Sequence, residues 1–65
     1  MPYVQITWVA GRTQEQKRKL AERVTQALVE EGSVKRETVQ VTFVDIPATD
    51  YATGGVTVAD QRRNP

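Results

Sequence analysis

The sequence contains no cysteine and no histidine. Without cysteine, disulfide bonds and thiolate zinc sites are excluded, and the eight scattered carboxylates predict no metal site. Nine basic residues against eight acidic ones leave a net charge of +1, which does not indicate a nucleic-acid-binding surface. No apolar run approaches the length of a membrane span, and residues 1–12 lack the pattern of a signal peptide. We therefore expect a cytoplasmic protein without metal, nucleic-acid or membrane partners.

The chain is also short, at 65 residues, and we expect one domain over 1–65. Ordering costs about 1.5 kcal/mol per residue, and apolar burial in so small a core roughly cancels that cost. Small proteins usually add disulfides, a metal or partner subunits, and the composition leaves the last of these. The sequence therefore predicts a homo-oligomer.

Two segments alternate apolar and polar residues as half-buried strands do. They are residues 3–9 and residues 39–46, and Pro47 ends the second because it has no N–H to donate. Residues 56–58 predict a short third strand or hairpin arm, and the polar tail 60–65 is expected to be loose.

A long amphipathic helix is predicted between the two strands. Thr13 and Gln16 have the spacing of a capping box, and Gly32 is predicted to end the helix in a left-handed conformation. A crossover of this length requires parallel strands. The predicted fold class is therefore α+β, a single β-α-β unit with a C-terminal hairpin, whose open sheet face is suited to another subunit. The helix should present one apolar stripe to the sheet, formed by Leu20, Ala21, Val24, Ala27 and Leu28.

Pro2 is the first candidate for chemistry. Methionine before proline is normally cleaved, which would leave a secondary amine at Pro2. An α-amino group has a pKa of about 7.7–8.0, and an apolar environment would lower that pKa towards the range useful for a general base. Taken alone, however, Pro2 is much better explained as a proline that only begins an edge strand.

Three further features lie in turns. Arg12 follows the first strand, where its guanidinium could bind a carboxylate, although an isolated turn arginine is usually only solvated. Gly54-Gly55 permits positive φ and is typical of a hairpin turn. Tyr51, close to the glycines, could wall a pocket, whereas Trp8 and Phe43 are expected to be core residues.

Taken together, these residues resemble the 4-oxalocrotonate tautomerase family, also called 2-hydroxymuconate tautomerases. The resemblance rests on Met-Pro at the start, Gly-Arg-Thr-x-Glu-Gln-Lys at residues 11–17 and an aromatic-x-x-Gly-Gly pattern at residues 51–55. It extends from Pro2 to about Val58. It implies a cofactor-independent keto–enol tautomerase acting on a 2-hydroxy-dienoate or related 2-oxo acid, a hexamer built from dimers, and a role in aromatic degradation.

The resemblance also implies roles for individual residues. Pro2 would be the catalytic base, and Arg12, from a neighbouring subunit, would hold a substrate carboxylate. Tyr51 would form an apolar wall, and Thr38 would line the site just before the second strand. Gln40 stands where well-studied members have a second arginine, so a simpler keto acid of the phenylpyruvate type becomes plausible as the substrate.

Two alternatives remain at this stage. Related proteins add water to haloacrylates, with a carboxylate positioning the water, and Asp45 or Asp50 could take that role. The other alternative is a non-catalytic oligomeric binding protein that keeps the fold, which the neutral Gln40 slightly favours.

Overall fold

Two parallel strands and a connecting helix form the body of the protein. The structure is a computed structural model that describes residues 1–63. Strand β1 (Tyr3–Val9) pairs in parallel with β2 (Gln40–Ile46), with Tyr3 opposite Gln40 at one end and Val9 opposite Ile46 at the other. Helix α1 (Gln14–Gly32) joins them, followed by a 3₁₀ turn at Arg36–Thr38. The predicted parallel β-α-β unit is confirmed.

The start of α1 is the predicted capping box. The Thr13 hydroxyl accepts from the Gln16 backbone N–H at 3.1 Å, and the Gln16 side chain accepts from the Thr13 N–H at 2.8 Å. The prediction for the other end was wrong. Gly32 is still helical, and Ser33 takes the left-handed conformation with φ 54°.

The sheet has one face towards the helix and one open face. Val4, Ile6 and Trp8 are half-buried, whereas the intervening residues of β1 are exposed, as the alternation predicted. Paired residues of parallel strands point to the same side, so Phe43 joins Ile6 on the helix side. The predicted helix stripe needs one correction, because Ala27 is exposed. The open face carries a hydrogen-bonded polar row along β1, formed by Tyr3, Gln5 and Thr7.

The C-terminal segment folds largely on itself. After a 3₁₀ turn at Ala48–Asp50, strands β3 (Ala52–Thr53) and β4 (Val56–Thr57) form an antiparallel hairpin, and helix α2 (Val58–Arg63) packs on that turn and on β4. The hairpin was predicted, but Val58 begins a helix instead of extending the strand. The expected loose tail is likewise helical up to Arg63, and residues 64–65 lie outside the described part.

None of the side chains in residues 1–63 is fully buried. The accessible surface is 4924 Å², whereas a folded monomer of 7.3 kDa exposes about 4,200 Å². The radius of gyration is 15.2 Å, against about 11 Å for a compact chain of this length. The protomer is therefore elongated, and within residues 1–63 the outer edges of β1 and β2 are both unpaired.

Candidate active site

Pro2, Thr38 and Gln40 lie at one end of the sheet. Pro2 directly precedes β1, and its carbonyl accepts a hydrogen bond of 3.0 Å from the Gln40 backbone N–H. Thr38 ends the 3₁₀ turn before β2, and its hydroxyl donates to the Lys35 carbonyl at 2.7 Å. Met1, which is bonded to Pro2, is 87% exposed.

Arg12 lies beyond the other end of the sheet, in the turn between β1 and α1. Its Nη1 donates to the Val9 carbonyl at 2.9 Å, and its guanidinium lies over the Trp8 ring. Gly11, with φ 143°, allows the sharp turn that leads to Arg12. This end of β1 therefore presents a cation beside an aromatic ring.

Tyr51 follows the same end of the sheet as Arg12, on the chain that leaves β2. It is 36% exposed, and its carbonyl accepts from the Val58 N–H at 2.8 Å, which ties it to the base of the hairpin. Gly54 and Gly55 form the two-residue hairpin turn with φ 62° and 85°, values that favour glycine. Their predicted role as a turn is confirmed.

The five predicted site residues thus form two separate groups within one protomer. β1 has seven residues, and at about 3.3 Å per residue its ends are roughly 20 Å apart. Pro2, Thr38 and Gln40 lie at one end, and Arg12 and Tyr51 belong to the other. A site that uses both Pro2 and Arg12 on one small molecule must therefore combine two copies of the chain.

A polar network at the Arg12 end escaped the sequence analysis. Asp45 accepts from the Trp8 indole N–H at 2.7 Å and from the Lys17 ammonium at 2.5 Å. These two hydrogen bonds, with smaller contributions from the positive charges of Lys17 and Arg12, hold the pKa of Asp45 below its usual 3.8. Trp8, Lys17 and Asp45 come from three different elements, so no local spacing in the sequence signals that they meet.

The same network bears on the predicted water-positioning role of the carboxylates. Both oxygens of Asp45 already accept hydrogen bonds, and Asp50 accepts one from the neighbouring Thr49 hydroxyl at 3.0 Å. Both carboxylates therefore have hydrogen-bond partners within the protomer, and these contacts give no sign of a water-positioning role. Over residues 1–63 there is no cluster of carboxylates suited to a metal ion, and neither helix combines the length and the apolar character of a membrane span.

Comparison with known proteins places the chain among tautomerases along nearly its full length. Residues 2–61 match the family model described as "Tautomerase enzyme". A probable tautomerase of Bacillus cereus is 39% identical over 61 residues, covering 94% of this chain and all of the relative. The 2-hydroxymuconate tautomerase of Comamonas testosteroni is 36% identical over 63 residues, covering 97% of this chain and all of the relative.

Solved structures agree with these sequence relatives. TomN, described as a 4-oxalocrotonate tautomerase homologue of the tomaymycin biosynthetic pathway, superimposes with a TM-score of 0.95 at 30% identity, covering 98% of both chains. A heterohexameric 4-oxalocrotonate tautomerase of Chloroflexus aurantiacus gives a TM-score of 0.87 at 30% identity, covering 92% of this chain and 97% of that one.

Proposed function

This chain belongs to the tautomerase family of isomerases, and from that membership we propose that the amine of Pro2 is its catalytic base. The observation that carries the proposal is the position of Pro2. It lies directly before β1, next to the exposed Met1. Removal of Met1 leaves a secondary amine there, whereas a retained Met1 makes the same nitrogen an amide without useful basicity.

The proposed reaction is a proton transfer without a cofactor. The Pro2 amine takes the proton from the 2-hydroxyl group of a dienol acid, and the double bonds of the substrate shift along its carbon chain. The protonated amine then delivers a proton to a carbon atom of the substrate. A 2-oxo acid results, and the amine returns to its neutral state. A positioned base of this kind contributes typically 10²- to 10⁴-fold to the rate.

Arg12 is proposed to bind the substrate carboxylate at a Pro2 of another copy. The roughly 20 Å length of β1 supports this arrangement, since it keeps the two residues of one protomer apart. Tyr51 is proposed to wall the site on the Arg12 side. Gln40 and Thr38 lie with Pro2 and are proposed to contact the oxygen-bearing end of the substrate.

The substrate is proposed to be a 2-hydroxy-dienoate or a simpler enol or 2-oxo acid. Gln40 can donate hydrogen bonds but cannot neutralise an enolate charge. A lost charge-assisted contact of this type costs about 2–4 kcal/mol in the transition state. We therefore favour a phenylpyruvate-type acid over 2-hydroxymuconate, and the role in aromatic degradation stays a prediction.

Association into a homo-oligomer, specifically a hexamer, is proposed as the functional state. The support is the excess of several hundred Å² in exposed surface over a compact monomer, comparable with the roughly 800 Å² that one partner contributes to a standard interface. The related protein of Chloroflexus aurantiacus is described as a heterohexamer. The hydratase and non-catalytic alternatives are not favoured by the tautomerase relatives or by the engaged carboxylate of Asp45.

The test compares the processed enzyme with a variant that retains a residue before Pro2. The decay of enol absorbance is followed for phenylenolpyruvate and 2-hydroxymuconate, and intact mass establishes which N-terminus is present. We expect the rate to fall by at least about 100-fold when Pro2 is blocked. Thr49→Ala, a change in an exposed turn, serves as the control. Full activity with a blocked Pro2, or with Pro2→Ala, would refute the proposed base.

A further inference from the structure

The guanidinium of Arg12 rests on an aromatic platform. Its Cζ lies 4.7 Å from the centroid of the Trp8 ring, within the range of a cation–π interaction. One donor, Nη1, is used by the Val9 carbonyl at 2.9 Å. A guanidinium has five N–H donors, so most of them stay available to an incoming anion.

The platform is itself fixed from two sides. The Trp8 ring stacks on Phe43 of β2, with centroids 5.5 Å apart and an angle of 21° between the planes. Its indole N–H donates to Asp45 at 2.7 Å, on the same strand as Phe43. The stacking restricts rotation of the Trp8 ring, and the hydrogen bond uses its only donor. The ring therefore gives Arg12 a defined orientation.

Lys17 neutralises the charge of Asp45. Its ammonium binds the second oxygen of Asp45 at 2.5 Å, and both side chains are about one-third exposed or less, at 27% and 34%. Both oxygens of Asp45 are thus occupied, by Trp8 and Lys17, and the Arg12 guanidinium donates to the Val9 carbonyl instead. Within residues 1–63, Arg12 forms no ion pair, so no carboxylate of the same protomer neutralises its charge.

We propose that Trp8, Lys17 and Asp45 act together as positioning residues for Arg12 and hold its guanidinium open for a substrate carboxylate. Trp8 supplies the platform, Asp45 orients Trp8, and Lys17 keeps Asp45 from pairing with Arg12. This inference rests on the proposed role of Arg12 in substrate binding. It assigns a function to three residues that do not themselves touch the substrate.

The kinetic test separates substrate binding from chemistry. With phenylenolpyruvate as the substrate, Trp8→Leu should raise KM roughly threefold to tenfold and change kcat less than twofold, since it removes a cation–π contact and leaves Pro2 intact. Trp8→Phe keeps a flat ring and should recover part of the loss. Lys17→Met should raise KM in the same direction, because Asp45 is then free to attract Arg12. Ile6→Val, on the same face of β1, is the matched control for lost packing.

A second measurement needs no turnover. Trp8 is the only tryptophan of the chain, so its fluorescence reports on the group above its ring. Titration with fumarate, a carboxylate that cannot tautomerise, should change the emission of the wild-type enzyme. Arg12→Ala should abolish this change, and Lys17→Met should shift the titration to higher concentrations.

Two results would overturn the inference, and they are distinguishable. If Trp8→Leu and Lys17→Met raise KM no more than Ile6→Val does, while Arg12→Ala raises it strongly, the positioning role is wrong and the proposed role of Arg12 stands. If Arg12→Ala leaves KM and the fumarate titration unchanged, Arg12 does not bind the carboxylate, and the positioning role falls with it.

Discussion

Mixing two variants that each lack one residue of the shared site should restore activity, because each protomer carries Pro2 and Arg12 at opposite ends. Pro2→Ala removes the proposed base, and Arg12→Ala removes the proposed carboxylate ligand. About 20 Å of strand separates the ends of β1, so a working site must take Pro2 from one copy and Arg12 from another. In a mixed assembly, some sites then receive an intact residue from each.

The size of the recovery follows from random assembly. In an equal mixture, half of the protomers supply an intact Pro2 and the other half an intact Arg12. About one quarter of the sites should therefore have both residues, if the copies assemble without preference for like or unlike neighbours. The two variants are co-refolded from denaturant, and the rate with phenylenolpyruvate is compared with that of wild-type enzyme treated in the same way.

A double variant provides the control for this experiment. Pro2→Ala/Arg12→Ala mixed equally with wild type should leave about one quarter of the activity when each site is shared, and about one half when each site belongs to one protomer. No recovery in the first mixture, together with one half in the second, would show that Pro2 and Arg12 of the same copy act together. The reasoning from strand length would then be refuted.

Two further predictions concern single side chains. The pKa of Asp45 is lowered by its hydrogen bonds to Lys17 and Trp8 and by the nearby charge of Arg12, so its ionised form stabilises the fold above the unfolded-state pKa near 3.8. This stabilisation is lost as the pH falls through the lowered folded-state pKa. The urea concentration at the unfolding midpoint should therefore be higher for wild type than for Asp45→Asn at neutral pH, and the two midpoints should converge in acid. Gln40→Arg should raise kcat/KM for 2-hydroxymuconate more than for phenylenolpyruvate, because it adds a charge beside Pro2; an equal effect on both substrates would contradict the proposed substrate preference.

The elements with local signals could be predicted from sequence. The alternation in residues 3–9, the Thr13–Gln16 capping box and the Gly54-Gly55 turn are each set by neighbours within a few positions. The errors lie at the ends of elements, whose exact boundaries a sequence pattern does not determine. Ser33, one residue past Gly32, takes the left-handed conformation, and the hairpin contacts turn Val58 into the start of a helix.

The site was predictable only in part, for a different reason. Pro2 and Arg12 were identified from their positions in the chain and from the family resemblance. Neither signal shows how far apart the two residues lie in space. The contact of Trp8 with Arg12 and Asp45 depends on the register of β1 against β2, which places Trp8 opposite Asp45. A register is a tertiary property, so composition and periodicity predicted Trp8 as a core residue and gave it no further role.

The lack of any fully buried side chain in residues 1–63 also bears on how this chain can change over evolution. In a monomeric protein, half-exposed positions on an open sheet face accept most polar substitutions. In the proposed assembly, those positions form contacts between copies, and one substitution is repeated in every copy. Neutral variation should therefore concentrate on the outer side of α1, and residues that look superficial in one protomer should vary as little as the interior of a larger protein.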